Sequence, residues 1–326
     1  MRVVQVEVFG GPEVLRPATV PDPEPGPGEA VIAVAAADVM FLDTLLRSGW
    51  GEDFFPVRPP YVPGSGVGGR VAGVGPGVDG SWVGRRVVAD TKQDVRGSEI
   101  PVGGYADRAV VPESELIPVP AALDDQQAVA LLHDGPTLQS LLDAVAAGSG
   151  DRVLVCAAAG GAGVLLVQEL SRRGVEVVAA ARGEAKTSLV RSLGAAEVVD
   201  YGEDGWTDRV GPVDAVLDGA GAALGRDAFA LVAEGGRFVS YGTAGGEFAS
   251  PDPDEARRRG VTVVGLTDLP RLDRARRRAL VEQTLGEAAE GRYRPVIGQT
   301  FALERAADAH AAIAARATVG KTLLLP

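Results

Sequence analysis

The sequence predicts an α/β chain in two parts: an irregular β-barrel built from both chain ends, and a doubly wound parallel sheet between them. Three observations carry this. The first ~120 residues are short alternating runs rich in Val, Gly and Pro, the texture of a barrel with many turns. From about Asp124, short apolar strands alternate with helical stretches, which marks a parallel sheet with crossover helices. After six such strands the tail reads strand, helix, strand, which sends the chain back to the first part. The expected division is 1–122 with 267–326 for the barrel, and 123–266 for the parallel sheet.

In the first part, Glu29 to Ala35, Gly69 to Gly75, Arg85 to Ala89 and Ala106 to Val111 read as strands, and Met40 to Arg47 as a short helix. Pro59-Pro60, Pro63-Gly64 and Pro76-Gly77 punctuate them as turns. In the second part, Asp124 to Leu132 and Thr137 to Ala147 are expected to be helical. The six strands are Val153 to Ala157, Val175 to Ala181, Glu197 to Asp200, Asp214 to Asp218, Arg237 to Tyr241 and Val261 to Gly265. A charged helix follows near Arg271 to Glu290.

The first of the six strands runs into Ala158-Ala159-Gly160-Gly161-Ala162-Gly163, and a helix-spaced apolar run follows from Val164. Strand, glycine turn and helix in this order form the phosphate-binding corner of a Rossmann unit. Gly160 is expected to make the sharp turn and Gly163 to let the helix approach the sheet. Gly161 and Ala162 open the helix, whose N–H groups and dipole attract a pyrophosphate. The second strand then discriminates between cofactors. An NAD-binding chain places Asp or Glu at its carboxyl end, about 20 residues past the turn. Here that place holds Ala181 and Arg182, with Lys186 four residues later. Two cations attract a 2′-phosphate that a carboxylate would repel, so NADPH is the expected cofactor.

Composition narrows the remaining classes. A net charge of −12 over 326 residues and a pI near 4.8 argue against a nucleic-acid partner. No apolar run approaches the ~20 residues of a membrane span. Met1 to Val6 goes straight into strand-like alternation, and the one cysteine, Cys156, falls inside a strand. A cytoplasmic location is therefore expected, with Cys156 a small core residue. With one Cys and two His, no zinc site is expected.

Taken in order, a set of short motifs spans nearly the whole chain. They are Phe9 to Leu15, Pro63-Gly64, Gly103 to Ala106, Ala157 to Gly163, Ser192 to Ala195, Asp200-Tyr201, Gly235 to Arg237, Arg294 to Gly298 and Val319 to Lys321. This set resembles the zinc-independent quinone oxidoreductases (zeta-crystallin-like) of the medium-chain dehydrogenase/reductase superfamily. The resemblance implies a GroES-like catalytic domain wrapped by both chain ends around a Rossmann domain. It implies hydride transfer from NADPH to a quinone or enone, and a homodimer joined through Val261 to Gly265. It places the 2′-phosphate against Lys186, Tyr201 and Arg316, Thr137 near the cofactor, and Gly242-Thr243-Ala244 along the nicotinamide. Phe41 is assigned to the cofactor side with them. The family usually has Asn where this chain has Met40; a thioether there favours a flat apolar acceptor. Zinc-dependent relatives carry metal ligands near Met40 and after Gly64, where this chain has Met40 and Ser65-Gly66.

Candidates for the acceptor pocket are Met40, Asp43, Trp50 and His133, with Phe54-Phe55 as possible walls. His133 is expected at the domain junction facing a cleft, as a proton donor or a hydrogen-bonded junction residue. Tyr105 is expected to be structural. The functional expectation is an NADPH-dependent quinone oxidoreductase. The alternatives are an enone or enoyl reductase of a biosynthetic pathway, and an NADPH-binding protein without turnover.

Overall fold

The computed structural model describes residues 1–52, 55–95 and 98–326. In chain order the first elements are β1 (Arg2–Val6), β2 (Leu15–Thr19), β3 (Glu29–Val39), α1 (Phe41–Arg47), β4 (Gly66–Val74), β5 (Arg86–Asp90), β6 (Gln93–Val95), β7 (Ser98–Ile100), β8 (Arg108–Pro112) and β9 (Ile117–Pro118). Then come α2 (Asp125–Val145), β10 (Arg152–Cys156), α3 (Gly161–Arg172), β11 (Glu176–Ala181), α4 (Glu184–Ser192), β12 (Glu197–Asp200), β13 (Val213–Asp218), α5 (Ala222–Ala230), β14 (Val232–Ser240), α6 (Pro253–Arg258) and β15 (Thr262–Gly265). The tail is α7 (Arg274–Ala289), β16 (Ile297–Ala302), α8 (Ala306–Ala314) and β17 (Lys321–Leu325).

The chain divides into two compact units. One holds 1–133, 278–291 and 295–326; the other holds 134–277 and 292–294. The division falls inside α2 and inside α7 rather than at residues 122 and 267. The two stretches expected to be helical are one helix, α2, which carries Pro136 in its interior. Proline removes one N–H from the ladder, and a helix this long keeps its remaining bonds on both sides.

The first unit is built on a seven-stranded sheet of order β16-β17-β3-β4-β5-β9, with β8 also paired to β3. All its pairs are antiparallel except β16 with β17. The chain end thus supplies strands to the sheet that the chain start begins. Register shifts between Val31 and Ile32 and between Val34 and Ala36 bend the long β3. Val, Ala and Ile from β3, β4, β5, β8 and α8, with Leu15 of β2 and Leu324 of β17, form its core around Tyr105.

In the second unit six parallel strands take the order β12-β11-β10-β13-β14-β15. Numbered within the unit, this is the Rossmann order, whose reversal lies between β10 and β13. There Cys156 stands in register with Asp218 at the carboxyl ends of the two strands. Cys156 is fully buried in the sheet core, as expected of a small apolar residue.

Candidate functional site

In the second unit, the corner after β10 has the shape that binds a pyrophosphate. Its turn is not made as expected. Gly160 is extended, at φ −80° and ψ 174°, while the left-handed residue is Ala157, at φ 55°. The alanine accepts a strained conformation so that the chain can leave the strand. Gly163 does what its position predicts. A Cβ there would stand 2.7 Å from the Ala157 carbonyl oxygen and 2.6 Å from that of Ala158. Only a bare Cα lets the first turn of α3 press against the end of β10. No side chain caps α3, and no acid lies in its first turn. Its open N–H groups, on a helix of 12 residues, fit an anionic diphosphate.

Beyond β11 the chain passes through Arg182 and Gly183 into α4, whose first turn carries Lys186. Arg182 is exposed, and Lys186 and Tyr201 are half-buried. A Cβ on Gly202 would lie 3.3 Å from Arg182 Cγ, so Arg182 runs along the segment that carries Tyr201. The nearby acid, Asp200, is spent on the backbone. It accepts from the Gly183 N–H at 2.8 Å and the Gly202 N–H at 2.7 Å. The corner therefore carries Arg182 and Lys186 while Asp200 is turned to the backbone, and it fits a phosphorylated ribose.

At the end of β13, buried Asp218 accepts from the N–H groups of Ala220 at 3.0 Å and Gly221 at 2.9 Å. Burial raises its pKa, and these bonds oppose the rise. It fixes the loop beside Gly242-Thr243-Ala244, which follows β14. Thr137, on α2, also belongs to this unit, whereas Phe41 and Arg316 belong to the first unit.

The first unit contains a second cluster. Met40 precedes α1 as its N-cap, and Asp43 Oδ2 accepts the Met40 N–H at 2.9 Å. The same oxygen accepts the Tyr105 hydroxyl at 3.2 Å, and Tyr105 Oη lies 2.8 Å from His310 Nε2. Asp43 thus joins the helix to the sheet core. Burial, then the charge of Asp38, pushes its pKa up to about 7. His310, deep in apolar surroundings and near Arg47, is held down to about 3 and is neutral. Met40 and Phe41 are half-buried, and Trp50 is 43% exposed just after α1. Phe55 is half-buried; Phe54 lies outside the described residues.

His133 sits in the same unit, clamped between two acids. Its Nδ1 lies 2.9 Å from Asp38 Oδ2, and its Nε2 lies 3.3 Å from Asp90 Oδ2 and 3.4 Å from Ser65 Oγ. Lys321 Nζ approaches Asp38 at 3.3 Å, and Lys92 Nζ approaches Asp90 at 2.7 Å. Gly66 makes the clamp possible. A Cβ there would collide with the Asp38 carboxylate and stand 2.9 Å from His133 Cε1. Burial disfavours a charged ring, but the two carboxylates outweigh it and raise the His133 pKa to about 9.

The arrangement thus contains a dinucleotide corner in one unit and a cationic imidazole near an apolar helix start in the other. Asp38, Asp90, Ser65 and Lys321 were missed from sequence. The signal was present: Asp38 interrupts Ala36-Ala37 and Val39, and Asp90 ends Val87-Val88-Ala89. An acid inside an apolar strand needs a buried partner.

Comparison with known proteins supports the same view. Residues 26–121 match the alcohol dehydrogenase GroES-like domain, and residues 193–324 match the zinc-binding dehydrogenase domain. The quinone oxidoreductase of Pseudomonas aeruginosa is 32% identical over 99% of both chains. The chain belongs to the quinone oxidoreductase family of the medium-chain dehydrogenases/reductases. As a member of this family it is a nicotinamide-dependent oxidoreductase. A mycobacterial protein whose structure was solved in complex with NADPH superposes at TM-score 0.87, with 33% identity and complete coverage of both chains. A structure described as an NAD-dependent alcohol dehydrogenase also superposes at 0.87, with 31% identity and complete coverage. Family membership alone therefore leaves the choice of dinucleotide to the residues at the ribose. Although one matched domain carries zinc in its description, no group of three or more His, Cys, Asp or Glu among the described residues is placed to hold a metal. No helix among them is long and apolar enough to cross a membrane.

Proposed function

We propose that the chain is an NADPH-dependent reductase of quinones and similar flat, apolar conjugated carbonyls. The observation that carries this reading is the end of β11. Ala181 and Arg182 stand where a ribose-binding acid would lie, Lys186 follows in α4, and Asp200 is occupied by backbone N–H groups. The N-terminus of α3 would hold the pyrophosphate, and Arg182, Lys186 and Tyr201 the 2′-phosphate; Arg316 is carried with them from the family resemblance. When bound, the reduced nicotinamide supplies a hydride. The chain's own residues hold and orient the two reactants. Met40 and Trp50 offer a soft and an aromatic surface to a flat acceptor.

A second reading, an enone reductase, is favoured by one observation: the charged imidazole of His133. A quinone needs little acid, because its ring already stabilises the developing oxyanion; an enone needs a proton donor. Steady-state oxidation of NADPH across quinones, enals and enones tests both. The proposal expects quinone turnover with NADPH and slower turnover with NADH. Failure of every acceptor to oxidise NADPH would reduce the chain to a nucleotide-binding protein.

A further inference from the structure

We propose that Asp43, Tyr105 and His310 form a buried proton relay that sets how firmly Met40 is held at the start of α1, and so makes acceptor binding respond to pH. The relay itself rests on the geometry of the first unit alone; its effect on an acceptor rests on the place given to Met40 in the functional reading above. Three contacts define it. Asp43 Oδ2 accepts the Met40 N–H at 2.9 Å and the Tyr105 O–H at 3.2 Å, and Tyr105 Oη lies 2.8 Å from His310 Nε2. All three side chains are buried. At the two outer ends, Asp43 Oδ1 and His310 Nδ1 have no hydrogen-bond partner among the described residues. A hydroxyl between a carboxyl and a neutral imidazole can donate to either one, so the chain of bonds can run in both directions.

Packing fixes the middle member. Gly64 lies at φ 78°, and a Cβ there would collide with the Tyr105 ring. The imidazole of His310, on α8, meets that ring at a right angle, with centroids 5.7 Å apart. The hydroxyl can therefore turn its proton without the ring moving. The charged and titratable groups facing the relay are Asp38 from β3, His133 from α2, Tyr61 from the segment before β4, and Arg47 from α1, which Glu13 faces in turn. Burial, then Asp43, pushes the Tyr105 pKa well up, while burial and Arg47 hold His310 down to about 3. Both are neutral near pH 7, so the charge of the trio resides on Asp43, which titrates at about 7.

The proton count balances. With Asp43 ionised, Tyr105 donates to Asp43 and accepts the Nε2–H of His310, whose Nδ1 is bare. A proton taken from water forms an N–H bond at Nδ1. The Nε2–H bond then breaks and its proton passes to Tyr105 Oη, while the Tyr105 O–H bond breaks and its proton passes to Asp43 Oδ2. The products are a neutral carboxylic acid, a tyrosine with its hydroxyl reversed, and a neutral imidazole in the Nδ1–H tautomer. No electrons are exchanged. Arg47 Nε, Arg47 Nη1 and Tyr61 Oη are likewise unpartnered among the described residues, and they offer a water polar partners on its way to Nδ1. After the transfer the Met40 N–H faces an acid hydroxyl instead of a carboxylate, which is a weaker acceptor. Asp43 is thus a positioning residue for Met40, and Tyr105 and His310 act through Asp43.

The test is 15N NMR of the full chain labelled at histidine, with the Met40 amide followed in parallel, between about pH 6 and 8 on either side of the Asp43 midpoint. The chain has only two histidines, and His133, held up to about 9, is the ring that stays charged over this range. His310 should be neutral throughout and pass from the Nδ1–H to the Nε2–H tautomer with a midpoint of about 7, and the Met40 amide should move with it. In Tyr105→Phe the tautomer should stop following pH, while the Met40 midpoint rises by about half a unit to one unit, because the carboxylate has lost a donor. In Asp43→Asn both signals should be flat. In wild type, KM for a quinone should fall by about threefold from the acid to the alkaline end of the range with kcat little changed, and in Asp43→Asn it should stay level. A single His310 tautomer across the range, a charged His310, or an unchanged switch in Tyr105→Phe would overturn the relay; the wild-type titration decides this even where a variant does not fold. A switching tautomer with a level KM would overturn the link to acceptor binding alone. Absence of quinone turnover would overturn the functional reading and leave the relay to the NMR result.

Discussion

Replacing His133 with glutamine should flatten a loss of stability that the wild-type chain suffers in mild alkali. Burial works against the imidazolium, but Asp38 and Asp90 hold its pKa at about 9 in the folded chain, against an ordinary value of 6.5. The folded value is the higher one. The stabilisation is therefore complete below pH 6.5 and disappears as pH rises through about 9. The whole gap is worth about 3 kcal/mol, of which about 2 kcal/mol is lost between about pH 7.5 and 9.5. That window also avoids Asp43. Its pKa is raised by burial and by Asp38 to about 7, so its contribution falls away between 3.8 and about 7. Urea unfolding at several pH values, wild type beside His133→Gln, is the assay. The variant should be less stable near neutrality, because it leaves Asp38 buried with only part of its charge partners. Its stability should then change little with pH. Parallel pH dependences, within about 0.5 kcal/mol, would refute the clamp as an ion pair.

Other perturbations separate the two units. Gly163→Ala forces a methyl against two carbonyl oxygens at 2.6 and 2.7 Å. It should cost about 1–3 kcal/mol in thermal or urea unfolding and weaken dinucleotide binding by calorimetry. Arg182→Ala with Lys186→Ala should lower NADPH affinity by about tenfold or more and leave NADH affinity within about threefold, since only the former has a phosphate to lose. Met40→Asn should shift the acceptor ranking toward more polar carbonyls in a steady-state panel; an unchanged ranking removes Met40 from the acceptor surface.

The second unit was legible because its signals are local. Six apolar strands bounded by turns dictate a parallel sheet, and Gly163 sits where only a bare Cα passes. The two stretches expected to be helical are one helix, because the tertiary packing of Leu131, Leu132, Leu138 and Leu141 keeps α2 whole across Pro136. The turn was assigned to Gly160 because glycine usually takes a left-handed turn; Ala157 takes it instead. In the first unit the strands were visible but their pairing was not. The clamp brings His133 to Asp90, Ser65 and Asp38, which lie 43, 68 and 95 positions from it in the chain. No spacing rule reaches across such distances. What sequence offered was the oddity of two acids in apolar strands, whose meaning appears only when β3, β5 and α2 come together.

Calorimetric titration of the wild-type protein with NADPH and then NADH tests the central claim most directly. The corner formed by Arg182, Lys186 and Tyr201 predicts NADPH binding tighter by about tenfold or more, with the difference shrinking as salt screens the phosphate. Equal affinities, or tighter NADH, would contradict it.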